Sequence, residues 1–363
     1  MKLESLFEAP AYTLPQDVKE RLLVDELNEL TARHSKRCPE YARVVRALFP
    51  DFRGARTIVN VPYIPVGLFK SHRLASVPES EVFRVLASSG TTGQQPSRVY
   101  LDRETAELQS RALVHIMTSL LGGQRLPMLI VDAANILRGD KRFSARAVGI
   151  LGMMSLGRNH TYLFDDDLRL ERDRLKAFLE CFGGEPFLLF GFTFLVWQAL
   201  YEQAADSEFD LSNGTLIHSG GWKKLQDKAV SPEVFRSILE RKLGLRRNYN
   251  FYGMVEQVGG IFLEGDDGYL YPSNFGDVLI RDPETFEVVP DGRPGLVQVV
   301  SALPRSYPGH SILTEDLGVI IDTDTVQAGR RGKRFRILGR IPRAELRGCS
   351  DTAAPWREEP ARV

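Results

Sequence analysis

Long apolar runs are missing from this chain, and no stretch approaches the ~18–20 consecutive apolar residues that a bilayer-spanning helix needs. The start, MKLESLFEAPAYTLPQDVKE, places Glu4 and Glu8 where a secretory leader needs an unbroken apolar core. Cysteine is scarce. Cys38, Cys181 and Cys349 share no metal-like spacing, and any pairing leaves one over. The six histidines (His34, His72, His115, His160, His218, His310) show no paired spacing of the kind a zinc site uses. Net charge is absent as well: 47 Lys and Arg balance 47 Asp and Glu, so no global field recruits nucleic acid or an anionic membrane. Internal repeats and low-complexity tracts are also lacking. What remains is 363 residues, 43 % hydrophobic and 26 % charged, the balance of a globular protein of one large or two ordinary domains. A reduced, cytoplasmic setting is expected.

The first ~80 residues read as helical and charged, with Leu22, Leu23, Leu27 and Leu30 at helical spacing between Val18 and Ala32. Pro62 and Pro65 then force an extended passage through IVNVPYIPVGLFKSH. From residue 81 the rhythm changes to a strand (EVFRVLA), a small-residue loop (SSGTTGQQPS) and a second strand (RVYL). Asp102 is placed to cap a helix over about Glu104 to Leu121. Apolar strands at 127–133, 160–165, 186–193 and 215–221 alternate with helical stretches at Leu168 to Cys181 and Phe194 to Ala205. That alternation predicts an α/β sandwich with largely parallel strands. After about residue 268, short strands and turns predict an antiparallel barrel or meander. From Asp351 the sequence is polar, with Pro355 and Pro360, and reads as a flexible tail.

Four segments carry chemistry. Ser88-Ser89-Gly90-Thr91-Thr92-Gly93 offers turned backbone N–H groups and hydroxyl donors to an anion, although a polar hairpin turn has the same composition. It is not a Walker loop, because the Gly-Lys-Ser/Thr ending is missing. In Asn250-Phe251-Tyr252-Gly253-Met254-Val255-Glu256, the ring suits stacking on a base and Glu256 suits a divalent cation, against the reading of a buried strand end with a surface Glu. Thr314-Glu315-Asp316 presents a carboxylate for ribose hydroxyls or merely caps a turn. Gly339-Arg340 suits a hinge with a phosphate or ribose contact.

Each segment is weak singly, but their order is specific. A Ser/Thr/Gly loop, Gly220-Gly221, Tyr-Gly-x-x-Glu, Thr-x-Asp and Gly-Arg follow one another from about Val82 to Arg340. In this the sequence resembles the adenylate-forming superfamily of acyl-CoA synthetases, luciferases and phenylacetate-CoA ligases. The resemblance implies that a carboxylate attacks the α-phosphorus of Mg·ATP to give acyl-AMP and pyrophosphate. It further implies that Ser89 to Gly93 cradle the β- and γ-phosphates, with Ser88 at the loop's entry. Gly220 and Gly221 would border the adenine, Tyr252 stack on it, Glu256 hold Mg²⁺ and Asp316 bind ribose. Two departures stand out. The loop lacks the usual lysine, since Gln94, Gln95, Pro96 and Ser97 follow and Arg98 is the nearest cation. The 23 residues after Arg340 are too few for the usual small mobile C-terminal domain of roughly a hundred residues.

The tail carries Cys349 beside Gly348, with Arg347 and Arg343 nearby to lower the thiol's pKa. A thiolate is the side chain best able to attack an acyl-adenylate at neutral pH. Cys38 and Cys181, in amphipathic helical contexts, are expected to be buried small hydrophobes. Leu189-Phe190-Gly191-Phe192-Thr193, His218-Ser219-Gly220-Gly221-Trp222-Lys223-Lys224, Phe69-Lys70 and Arg-Gly-Cys together are similar to the acyl-protein synthetase (LuxE) family of bacterial bioluminescence. That resemblance implies an acyl-AMP made from a fatty acid, a thioester on Cys349, and a partner reductase that receives the acyl group. With no domain-borne lysine, Lys223 or Lys224 becomes the candidate cation at the α-phosphate, against the plain reading of two surface lysines. His218 is the histidine expected near the nucleotide.

The expected fold is therefore an α/β adenylate-forming large-domain sandwich with a distorted antiparallel β-barrel portion, lacking the small C-terminal domain. Its expected parts are a helical region at 1–80, a core at 81–339 with 268–325 barrel-like, and a cysteine-bearing tail at 340–363. Rival readings are an acyl- or aryl-CoA ligase of the phenylacetate type and a catalytically inactive nucleotide-binding partner subunit.

Overall fold

A computed structural model describes residues 2–88, 95–137, 143–222, 228–326 and 329–341. The N-terminal part is helical as its spacing predicts: α1 (Lys2–Glu8), α2 (Gln16–Arg37) and α3 (Pro39–Leu48). Helix α2 begins where Gln16 N–H donates to both carboxylate oxygens of Asp324, a cap from more than three hundred residues away. The proline-rich passage yields β1 (Ile64–Pro65) and the short α4 (Leu68–Ser71). A small sheet follows from β2 (Arg84–Ala87) and β3 (Arg98–Leu101). Asp102 then caps α5 (Arg103–Leu121), its Oδ1 accepting the Thr105 N–H at 2.8 Å.

The alternating region supplies β4 (Leu126–Ala133), β5 (Phe143–Ser144), α6 (Ala145–Met154), β6 (Gly157–Phe164), α7 (Arg172–Phe182) and β7 (Phe187–Phe192). After β7 the chain forms α8 (Thr193–Val196), β8 (Gly214–Ser219), α9 (Pro232–Leu243) and β9 (Arg247–Tyr252). Strands β6, β4, β7, β8 and β9 pair in that order, all parallel. Their apolar runs are continuous because both faces are covered. Met128, Ile130, Leu188, Phe190 and Ile217 face Ala112, Ile116, Ile150 and Met153 of α5 and α6. The alternate residues Leu129, Val131, Leu189 and Leu216 face Leu175, Phe178, Phe235 and Leu239 of α7 and α9. Helix α9 starts on the Ser231 hydroxyl with Pro232 in its first turn. It stops at Gly244, whose φ of +69° is left-handed and so suits glycine.

From β9 the sheet turns antiparallel through β10 (Phe262–Glu264) and β11 (Leu270–Tyr271). It continues into a meander of β12 (Gly276–Arg281), β13 (Gly295–Ser301), β14 (Ser311–Thr323) and β15 (Lys333–Arg340). Among the described residues this meander does not close into the expected barrel. Strand β15 pairs with β11, which leaves β12 as the open end of one 12-stranded sheet. The helical stretch expected at 194–205 is present, as α8 followed directly by a π-helix over Trp197–Gln203. Cys38 is buried as expected, but Cys181 is exposed, because α7 buries the Leu175 and Phe178 side and Cys181 lies off that stripe. The tail from residue 342, with Cys349, lies outside the described residues.

Where α2 and α3 meet β14, two imidazoles are sealed in together. The rings of His34 and His310 stack with centroids 5.0 Å apart. His34 bonds Ser76 and the Pro304 carbonyl, while His310 Nε2 lies 3.0 Å from the Thr31 hydroxyl and 3.2 Å from that of Tyr41. Burial pushes the His310 pKa down to about 3 and holds that of His34 well below its usual 6.5. Both stay neutral in the folded chain, whereas the unfolded chain takes up protons below pH ~6.5. Stability is therefore full above ~6.5 and falls as pH drops, by up to about 1.4 kcal/mol per unit for each histidine. Urea unfolding at pH 7.5 and 5.0 checks this: the midpoint is expected to fall at pH 5.0, and a midpoint that does not move contradicts it.

Candidate active site

The C-terminal ends of β8 and β9, the turn after β9, and the neighbouring parts of β14 and β15 carry the described candidate residues. Register does the assembling: antiparallel pairing sets Asp316 of β14 opposite Arg340 of β15. Arg340 Nε lies 3.4 Å from Asp316 Oδ1, and the Tyr252 hydroxyl, at the end of β9, donates to Asp316 Oδ2 at 2.6 Å. Asp316 is held in turn by its own N–H, which donates to the Thr314 hydroxyl. Burial, then the Asp316 carboxylate, hold the Tyr252 pKa well above 10, so the hydroxyl remains a donor. The Tyr252 ring packs on Phe262 with centroids 5.9 Å apart. Arg340 is 69 % exposed, so its guanidinium reaches open space while contacting Asp316.

Past Tyr252 and the exposed Gly253, a 3₁₀ turn over Val255–Gln257 directs Glu256 inward, where it is only 6 % exposed. Burial raises its pKa, opposed by the adjacent Ser97 hydroxyl and by the charges of Lys70 and Arg340. Ser97 belongs to the neck of the Ser/Thr/Gly loop. Its N–H donates to Ser88 Oγ at 2.9 Å, and the Ser88 N–H donates back to the Ser97 carbonyl at 3.1 Å. Ser88 thus staples the base of the loop. Ser89, Gly90, Thr91, Thr92, Gly93, Lys223 and Lys224 lie outside the described residues. Among the described residues, no group of three or more His, Cys, Asp and Glu side chains could hold a metal ion.

A cleft of about 100 Å³ opens beside this cluster, lined in part by Thr193, His218, Gly220, Trp222, Arg236 and Asn250. Gly220 turns the chain away from β8 at φ +84°, a backbone setting that favours glycine. Gly221 follows it, exposed. His218 Nδ1 lies 2.9 Å from the Thr193 hydroxyl, and its ring sits 4.9 Å from that of Phe235. Burial, helped by Arg236, pushes the His218 pKa down to about 3, so the imidazole in the cleft is neutral. Asn250 Oδ1 is buried with no hydrogen-bond partner among the described residues. Glu264 pairs with Arg236 and accepts the Asn250 N–H at 2.9 Å, standing in for a strand carbonyl where the β9–β10 ladder ends.

The structure thus gathers His218 and Gly220 in one cleft and Tyr252, Asp316 and Arg340 in one contact, with Glu256 on the turn between. Sequence reasoning missed Ser97, Arg236 and Glu264. Arg236 and Glu264 sit in no recognisable motif, Ser97 ends the small-residue loop with no role marked by its sequence, and their proximity to the site comes from strand pairing and helix packing.

The family model described as acyl-protein synthetase, LuxE, matches residues 3–355. A long-chain-fatty-acid–luciferin-component ligase of Vibrio harveyi is 26 % identical over 320 residues, covering 80 % of this chain and 76 % of that protein. The phenylacetate-coenzyme A ligase of Thermus thermophilus is 32 % identical over 359 residues, covering 92 % and 73 %. Among solved structures, 2-hydroxyisobutyryl-CoA ligase with 2-HIB-AMP and CoA superposes with a TM-score of 0.67 at 18 % identity, covering 91 % of this chain and 76 % of that one. The fold is that of the adenylate-forming ligases. No described helix is long and apolar enough to cross a membrane. With a family match running almost end to end, the chain belongs to the acyl-protein synthetase (LuxE) family and is an ATP-dependent acyl ligase.

Proposed function

We propose that this ligase adenylates a long-chain fatty acid and then carries the acyl group on Cys349 to a protein partner that reduces it. The observation that carries the first half is the convergence of Tyr252, Asp316 and Arg340 beside the buried Glu256, in a chain of this family. In this reading the adenine enters the cleft at Gly220, Gly221 and Trp222, where Asn250 Oδ1 accepts from its amino group. Asp316 and Arg340 hold the ribose, and Ser89 to Gly93 meet the β- and γ-phosphates.

Glu256 is a fit for Mg²⁺, because a buried carboxyl flanked by a hydroxyl favours a cation partner, and Mg²⁺ takes few protein ligands beside phosphate oxygens and water. Bound there, Mg²⁺ would neutralise phosphate charge. The substrate carboxylate forms the new O–P bond at the α-phosphorus, and the bond to pyrophosphate breaks with its electron pair. Lys223 or Lys224 is the proposed cation at that centre. The Cys349 thiolate then attacks the acyl carbonyl, AMP leaves, and a thioester remains. The fatty-acid identity follows the printed names of the Vibrio harveyi and Aliivibrio fischeri relatives.

The test is ATP–pyrophosphate exchange across a panel of short, long and aromatic carboxylic acids. Exchange is expected with long-chain acids at least tenfold above aromatic ones, and no acid-dependent exchange would overturn adenylation. A second reading keeps the same first half but gives the acyl group to coenzyme A, favoured by the 32 % identity to the Thermus thermophilus ligase. ATP-dependent acyl-CoA formation at equal rates with and without Cys349 would establish it.

A further inference from the structure

The phosphate loop of this chain has no lysine of its own, and Arg98, the nearest cation in sequence, sits exposed on β3. A triphosphate nonetheless needs positive charge near its outer phosphates. The described residues supply one unassigned candidate. Strand β1 pairs in parallel with β14, Ile64 against Ile312 and Pro65 against Leu313, and the Val66 N–H donates to the Leu313 carbonyl at 2.9 Å. This docks the chain three residues along β14 from Asp316. Phe69, 1 % exposed, anchors α4 against the Tyr307 ring, and α4 packs on β3 next to Ser97. The next residue, Lys70, is half-buried, and its side chain makes no hydrogen bond or ion pair with any described residue. Strand β3 touches both α4 and the Val255–Gln257 turn that carries Glu256. Lys70 therefore stands, with Ser97 and the Glu256 turn, around the neck of the Ser/Thr/Gly loop.

We propose that Lys70 is the cation that contacts the β- and γ-phosphates of bound ATP, in place of a lysine in the phosphate loop. This rests on the adenylation reading above. When the bond between the α-phosphorus and the bridging oxygen breaks, the electron pair leaves on pyrophosphate, and the Lys70 ammonium stabilises that charge without transferring a proton. Arg340 is committed to Asp316, whereas the Lys70 side chain pairs with no described residue.

Full-length Lys70→Gln and Lys70→Arg test it through ATP binding, AMP binding and acid-dependent ATP–pyrophosphate exchange. Lys70→Gln is expected to weaken ATP at least tenfold and slow exchange about a hundredfold, with AMP affinity kept within about twofold. Lys70→Arg is expected to recover most of the loss, because charge rather than shape is required. Unchanged ATP binding, or equal losses for ATP and AMP, would overturn the assignment, since a merely structural role moves both nucleotides together. Should Lys70→Gln not fold, acetic anhydride labelling of the wild-type chain decides. Lys70 acetylation slowed by ATP but not by AMP supports the contact, and equal rates refute it. A wild-type chain with no exchange would sink adenylation itself, whereas wild-type exchange matched by Lys70→Gln would sink only the lysine.

Discussion

Replacing Cys349 by serine is expected to remove all hydroxylamine-labile acyl label from the protein while leaving ATP–pyrophosphate exchange within about twofold of wild type. The two readouts separate because exchange reports only the reversible formation of acyl-AMP, which precedes the thiol's attack. A serine hydroxyl without a general base is far less nucleophilic than a thiolate at neutral pH, so isosteric replacement abolishes transfer rather than slowing it slightly. Loss of only Cys349→Ser labelling, with exchange intact, would support a tethered acyl carrier in the tail. Label that survives would transfer the role elsewhere, with the exposed Cys181 the first described thiol to examine. Loss of both activities would instead place Cys349 in adenylation and contradict the proposed division of labour.

Asp277→Ala is expected to destabilise the chain by about 3–5 kcal/mol, a large part of the ~5–15 kcal/mol that usually separates folded from unfolded states. Asp277 is 0 % exposed, at the second position of β12. Lys333 Nζ of β15 lies 3.3 Å from its Oδ1 and Lys19 Nζ of α2 lies 3.9 Å away, while the Gln16 amide donates to Oδ2. Burial alone would raise the Asp277 pKa, but Lys19, Lys333 and the Gln16 hydrogen bond outweigh it and hold the carboxyl below its usual range. Removing the carboxylate leaves two ammonium groups in a site with no other described carboxylate in contact, and burial already lowers the Lys19 pKa. Asp277→Asn keeps the volume and is expected to recover only part of the loss, which separates charge from packing. Urea unfolding at pH 7.5 checks both. A change under 1 kcal/mol for Asp277→Ala would mean that water, rather than the carboxylate, stabilises the lysines.

Much of the α/β scaffold was legible in the sequence because its signals are short-range. The Asp102 cap, Pro232 and Gly244 around α9, and the unbroken apolar runs of β4, β7 and β8 each state a local preference that tertiary packing then satisfied. Motif order is legible for the same reason: Tyr252, Asp316 and Arg340 each stand in a short motif, and strand pairing brings the three into contact. Local reasoning failed where the outcome depended on what lay on the other side. Both Cys38 and Cys181 read as helical positions, yet Cys38 lies in the extended break between α2 and α3, and the packing of α7 decides that Cys181 faces out. The meander after residue 268 stays open because β15 finds β11, a partner sixty-five residues away in register. The π-helix at Trp197–Gln203 has no local cause that its sequence states.

By itself, then, the sequence determined the element types, the family and the order of its chemical motifs, because hydrophobic period, caps and glycine positions act over a few residues. Only the tertiary structure decided which side chains share a space: Ser97 with Glu256, Glu264 with Asn250, and Lys70 with the phosphate-loop neck. The place of Lys70 depends on β1 pairing with β14, Ile64 against Ile312, and a long-range strand pair leaves no periodic trace in either of its segments.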